Sequence, residues 1–232
     1  MNISLVTIAF SGYGRFLGQF LAFVSNMNPK PREVIIVLGK DHGCKDLELM
    51  KCIYPGVKII QYSKTPTFGK LRNIGIKKAS SEWIWYMDID DKPEVDAIKT
   101  FRKIEGADYI CSQWYTIGLG QSRVRHYSPL PIEMAEKVTK GEPGGFIIPH
   151  SPFKKVLWEK APYQNKDLSN YNFLLNCVQN GARFAKADKP TTTYLRRSNS
   201  HARTTLLKIK RQANREKRIM QQGLVEFYKE ES

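Results

Sequence analysis

Three carboxylates crowd one point of this chain. Asp88, Asp90 and Asp91 follow directly on the apolar run Trp83 to Met87, where a hydrophobic strand runs out. Mutual repulsion makes such a cluster costly unless a cation or a basic partner offsets it. Asp88 and Asp90 are two apart and share one face of an extended chain. Two hard oxygen ligands on one face suit Mg2+ or Mn2+, ions that keep waters and bind substrate phosphates. A metal bridging a diphosphate neutralises the charge that develops as that group leaves. The competing reading is a solvated acidic turn ahead of a helix from Glu94. Arg72 and the pair Arg196-Arg197 offer forked donors that suit a diphosphate. Ordinary surface solvation is their alternative.

The elements that must hold these groups alternate. Ile3 to Phe10 reads as a buried strand, and Phe16 to Met27 as a helix. Val34 to Leu38 and Val57 to Tyr62 are strands, and Gly69 to Ala79 is a helix. Trp83 to Met87 is a strand ending in the acids. A helix over Glu94 to Ile104 and a strand over Ala107 to Trp114 follow. Alternation of this kind implies a mainly parallel sheet, which binds ligands outside the carboxyl ends of its strands. From Gly118 to Pro149, glycine, proline and charge break the pattern, and exposed loops are expected. Ser169 to Asn180 is helical, with Gly181 as its stop. Thr191 to Leu195 is a strand. Thr204 to Tyr228 is a long helix, and between Arg203 and Arg218 it carries seven basic residues and one acid.

The 232 residues hold 37 Lys and Arg against 22 Asp and Glu, a net charge of +15. A field of that sign attracts nucleic acid, anionic head groups or phosphorylated substrates; charge for solubility is the plain alternative. With 41% hydrophobic residues the chain fills a core, which excludes global disorder. Cys44, Cys52, Cys111 and Cys177 form no C-x-x-C pair, so no zinc site or disulfide framework is expected. The start MNISLVTIAF lacks the marks of a signal peptide, and no stretch is apolar enough to span a membrane. A cytoplasmic protein is expected, in a host cytoplasm if the gene belongs to a phage.

From Gly69 to Asp91 the chain shows a glycine, then Arg72-Asn73-Ile74-Gly75. A helix ending at Ala79, a strand and Asp88-Ile89-Asp90-Asp91 follow. This run resembles the heart of glycosyltransferase family 2, in order, spacing and residue type. The resemblance implies the GT-A fold, a Rossmann-like, mainly parallel sheet flanked by helices, here with a basic C-terminal helical extension. It implies a GT-A domain over 1–202, with a nucleotide-sugar half over about 1–115 and an acceptor half over about 116–202. The basic helix then takes 203–232.

The same resemblance implies a nucleotide-sugar donor, a UDP-sugar, and Mn2+ or Mg2+. Its metal ligands are Asp88 and Asp90, with His201 as a third. Phe10, Asp41, Arg72 and Arg196 join the donor site, and Gly144, Gly145 and Trp114 the acceptor site. Two departures stand out. The family's acidic pair after the second strand is replaced by Leu38-Gly39-Lys40-Asp41, so Asp41 is the substitute. The family's catalytic base lies about a dozen residues before a glycine. Counting back from Gly181 reaches Ser169-Asn170, which cannot serve. Asp167 is the expected base, and the N-cap of the Ser169 helix is its ordinary alternative.

An inverting glycosyltransferase is therefore expected. Its acceptor reading leans to a hydroxylated base in phage-type DNA, bound through the basic surface and C-terminal helix. The alternative acceptor is a lipid-linked or envelope glycan at an anionic membrane surface. A non-catalytic nucleic-acid-binding member of the fold is a second class. Nucleotidyl transfer is a third, on the faint echo of a glycine-rich loop in Ser11 to Arg15.

Overall fold

Period-two alternation sorts the side chains of the central strands to two opposite faces. On β1 (Ile3–Ala9), Ile3 and Leu5 face one side, and Val6 and Ile8 the other. The computed structural model describes residues 1–65, 67–118, 121–145, 150–165, 170–195 and 208–231. A 3-10 turn at Tyr13–Phe16 leads into α1 (Leu17–Ser25), followed by β2 (Glu33–Leu38), α2 (Leu47–Ile53) and β3 (Lys58–Gln61). Then come α3 (Phe68–Lys78), β4 (Trp83–Tyr86), β5 (Lys92–Pro93), α4 (Ala97–Arg102) and β6 (Tyr109–Gly118). The remainder is β7 (Gln121–His126), α5 (Pro131–Thr139), β8 (Phe153–Lys154), α6 (Lys155–Lys160), α7 (Asn170–Gln179), β9 (Phe184–Leu195) and α8 (Lys208–Glu230).

The sheet order is β3-β2-β1-β4-β8-β6-β9-β5, with β7 beside β6. β1, β2, β3 and β4 are parallel neighbours, and β6 is parallel to β9. β8 runs against both β4 and β6, β7 against β6, and β5 against β9. The carboxyl ends of β1, β2, β3, β4, β6 and β9 therefore meet at one edge. One face packs on α1 and α4 through Leu17, Phe20, Leu21, Ile98 and Phe101. The other packs on α3, α7 and α8 through Leu71, Ile76, Phe173, Leu174, Met220 and Leu224. This is the α/β architecture the alternation predicts.

The loops expected over Gly118 to Pro149 are instead partly regular. β7 returns as a hairpin strand, and α5 starts at Pro131. Proline suits the first turn of a helix, whose N–H has no partner anyway. Glu133 Oε2 accepts the Leu130 N–H at 2.9 Å and closes that end. β9 begins seven residues before the expected Thr191, at Phe184. Register shifts beside Cys111 and Gln113 let it pass Pro190. Gln113 and Arg125 cover the irregularity, with Arg125 Nη2 donating to the Asp188 carbonyl at 3.0 Å.

α8 turns its apolar side inward. Met220 and Leu224 are buried against the domain, whereas Arg215 and Arg218 are exposed. Gly144, next to α5, lies so close to α8 that a Cβ there would stand 2.7 Å from the Gln221 amide nitrogen. Among the described residues, no helix is long and apolar enough to cross a membrane.

Candidate active site

The strands β1, β2, β4, β6 and β9 bring the pieces of the site to the carboxyl edge. β1 ends before Phe10, whose ring meets Phe68 edge-on at 4.9 Å. β2 runs into Asp41. Ser11 and Asp41 both adopt left-handed backbone, with φ 49° and 56°. Non-glycine residues held there store strain that clusters at ligand sites. The two loops are locked together, since the Gly12 N–H donates to the Asp41 carbonyl at 2.7 Å and Gly14 to that of His42 at 2.6 Å.

The acids follow β4. Its four residues are fully inside, and the Met87 N–H still pairs with the Val6 carbonyl. The chain then leaves the strand. The Asp91 N–H donates to the Asp88 carbonyl at 3.2 Å, closing a turn, and buried Ile89 pins it inward. The shared-face argument for Asp88 and Asp90 holds only for an extended chain. In the turn, Asp88 and Asp91 come together, and Asp90 sits half-buried beside them.

His150 completes the cluster, and no sequence signal marked it. Its Nε2 stands 3.3 Å from Asp88 Oδ2 and 3.3 Å from Asp91 Oδ2. The side chains of His150 and Asp91 are 4% and 0% exposed, and that of Asp88 is 36% exposed. The His150 carbonyl accepts from Trp85 Nε1 at 2.7 Å and from Ser112 Oγ at 3.1 Å. β4 and β6 thus fix the residue from both sides.

Charge in the cluster is unevenly compensated. Burial raises the Asp88 carboxyl, but His150, Arg72 and the Tyr86 hydroxyl outweigh it and hold the group at about 2. Burial drives Asp91 well above the usual carboxylate range; His150 opposes this, and Asp90 and Asp88 add to it. For His150, burial lowers the pKa, but the neighbouring carboxylates win and raise it. Asp91 Oδ2 and His150 Nδ1 are buried without a hydrogen-bond partner.

Such a donor set fits a hard divalent cation. Adjacent ligands at ~2.1 Å from an octahedral ion stand ~3 Å apart. Asp88, Asp91 and His150 each bring one ligand atom within 4.8 Å of the others.

α3 underlies the cluster and carries the Arg72-Asn73 pair. Arg72 is buried among Phe68, Tyr86 and Tyr163, and its Nη1 donates to Asn170 Oδ1 at 2.6 Å. Asn73 Nδ2 donates to the Tyr163 carbonyl at 2.7 Å, while its Oδ1 accepts from Trp158 Nε1 at 2.8 Å. Trp114 is half-buried near the end of β6, stacked on His126 with centroids 5.2 Å apart. Gly145 has φ 82° and lies against Pro129. Asp167, Arg196 and His201 lie outside the described residues. Leu195, the last described residue before Arg196, donates its N–H to Asp91 Oδ1 at 3.0 Å.

The sequence profile described as Glycosyl transferase family 2 matches residues 4–160, more than half of the chain. The chain belongs to glycosyl transferase family 2. Solved structures agree on the fold of this family 2 chain. The crystal structure of S. aureus TarS 1-349 matches with a TM-score of 0.65 at 16% identity, over 84% of this chain and 60% of that one. The same protein in complex with UDP-GlcNAc matches with a TM-score of 0.65 at 15% identity, over 98% and 72%. Glucosyl-3-phosphoglycerate synthase from Mycobacterium tuberculosis, in complex with Mn2+, UDP and phosphoglyceric acid, matches with a TM-score of 0.63. Its identity is 13%, over 95% of this chain and 78% of that one. The match spans less than two thirds of the first TarS 1-349 structure, 60%, and 72% of its UDP-GlcNAc complex. No curated protein sequence matches it significantly.

Proposed function

We propose that this protein transfers a sugar, with inversion, from a UDP-sugar to an acceptor hydroxyl, and that it needs Mn2+ or Mg2+. The observation that carries this reading is the Asp88-Asp91-His150 cluster at the carboxyl edge of the strands, in a chain of glycosyl transferase family 2. Complexes of structural relatives with UDP-GlcNAc, and with Mn2+ and UDP, support the donor class. When bound, the metal supplies positive charge to the departing diphosphate.

The protein's own groups do the rest. Asp88, Asp91 and His150 would hold the ion. Asp90 stands beside them, and His201 is a further ligand in this reading. Phe10 and Asp41 flank the nucleoside, and Arg196 meets the diphosphate. The acceptor oxygen forms a bond to the anomeric carbon as the bond to the diphosphate breaks. Asp167 takes the hydroxyl proton, and UDP leaves. Trp114, Gly144 and Gly145 belong to the acceptor side.

The acceptor reading is nucleic acid, a hydroxylated base in DNA. It rests on the net charge of +15. The membrane alternative loses support from α8, whose Met220 and Leu224 pack on the domain rather than facing outward. Four free cysteines support a reducing, cytoplasmic setting.

A donor panel with Mn2+ tests the reaction class. One UDP-sugar should raise the melting temperature and release UDP, and EDTA should abolish both. A panel without any shift, or a shift indifferent to EDTA, refutes the reading. Affinity for duplex DNA and for anionic vesicles across a salt series tests the acceptor. Steeper, tighter binding to vesicles would overturn the DNA reading.

A further inference from the structure

The Tyr86 hydroxyl has a job that a phenylalanine of the same shape could not do. Tyr86 is fully buried in β4, two residues before Asp88. Its hydroxyl donates to Asp88 Oδ1 at 2.7 Å. Burying a hydroxyl costs stability unless it is paired, and here the Asp88 carboxylate is the partner. Below the ring lies the Arg72 guanidinium, with its Cζ 4.4 Å from the ring centroid. A desolvated cation on a ring face holds that ring in place. Arg72 is itself fixed by Asn170 at the start of α7.

The Asp88 carboxylate is therefore tied at Oδ1 and left facing the cluster at Oδ2. Tyr86 donates to Oδ1, and His150 faces Oδ2 at 3.3 Å. Rotation of the carboxylate breaks the Tyr86 contact. We infer that Tyr86 is a positioning residue, a strut carried by Arg72 that sets the Asp88 carboxylate in the orientation that receives a divalent cation. Groups that orient ligands in this way typically change metal affinity or activity by ~10- to 100-fold when removed.

The inference rests on the metal reading above, and the test separates the two. Mn2+ alone is titrated into the whole protein without donor, with the spectral signal of hexaaqua Mn2+ reporting the unbound ion. Tyr86→Phe should bind Mn2+ at least ~10-fold more weakly than wild type, with an unchanged melting temperature in the metal-free protein. Its UDP release should recover toward wild type as Mn2+ is raised, which a general packing defect would not do. Asp88→Asn should bind no Mn2+ in the same range. If Tyr86→Phe binds as wild type while Asp88→Asn does not bind, the strut is overturned and the metal reading stands. If wild type does not bind, or Asp88→Asn binds as wild type, both fall.

Discussion

Alanine at Gly75 should push α3 away from the sheet and weaken the protein. A Cβ at this position would stand 2.5 Å from Val6 Cγ1 and 3.1 Å from Val37 Cγ2. Ordinary carbon contacts lie at ~3.5–4.0 Å, so the helix must retreat by roughly 1 Å or Val6 must leave its rotamer. Val6 is fully buried and β-branched, which leaves it little freedom. Overpacking of this kind costs ~1–3 kcal/mol. Against that, glycine to alanine inside a helix gains ~1 kcal/mol in propensity. The clash wins, and a net loss of about 1 kcal/mol is expected. Urea unfolding followed by circular dichroism measures it as a lower midpoint at unchanged slope.

The pair Gly75→Ala with Val6→Ala should be more stable than the sum of the single effects by ~1 kcal/mol, because the second change removes the clash. Turnover should fall further than stability, since Arg72 rides on the same helix and a shift of ~1 Å near a site can cost ~100-fold. A higher urea midpoint for Gly75→Ala would refute the reasoning. It would mean that propensity outweighs the contact and that the glycine is not needed for close approach.

Other outcomes follow from the same geometry. Glu33 is buried between Ser4, Ser80 and Lys58. Burial raises its pKa, but these hydrogen bonds prevail and lower it from 4.5 to about 2. Its contribution is thus complete above pH 4.5 and is lost as pH falls toward 2, so Glu33→Gln should flatten stability measured across that window; an unchanged slope would contradict this. Leu224→Ala should cost ~2–5 kcal/mol in urea unfolding, because Leu224 is a core residue between helices. A near-zero cost would make α8 a dispensable extension. Under the proposed DNA acceptor, Trp114→Ala should raise the acceptor KM about tenfold or more while leaving acceptor-independent UDP release intact, as stacking of a base is worth ~1–3 kcal/mol. Equal loss in both assays would move Trp114 out of the acceptor site.

Much of the N-terminal half was legible in the residues. β1, β2, β4 and α3 lie within a residue or two of their expected bounds, because each is an unbroken apolar run or a helical repeat. The second half hid its elements behind residues that usually break structure. Pro131 read as a loop but starts α5. The strand expected from Thr191 starts already at Phe184, and its register shifts let Asp188, Lys189 and Pro190 sit inside it.

At the site, the acids were legible by type, but their pairing was not. The pattern two apart pointed to Asp88 and Asp90, whereas the turn joins Asp88 to Asp91. His150 left no trace, because a lone histidine after an apolar stretch carries no spacing to the acids. Its place depends on the Trp85 indole and the Ser112 hydroxyl reaching its carbonyl, contacts between segments 65 and 38 residues apart.

The bond from the Leu195 N–H to Asp91 also orders events in time. It joins residues 104 positions apart, and closing such a span is slow compared with forming neighbouring helices and strands. During synthesis the parallel strands β1 to β4 emerge and can pair while β9 has yet to be made. Asp91 must wait for its backbone donor until the last strand docks. The proposed ion affinity should therefore mature late, after most secondary structure has formed, so that a half-made chain bearing all three acids is still a poor binder.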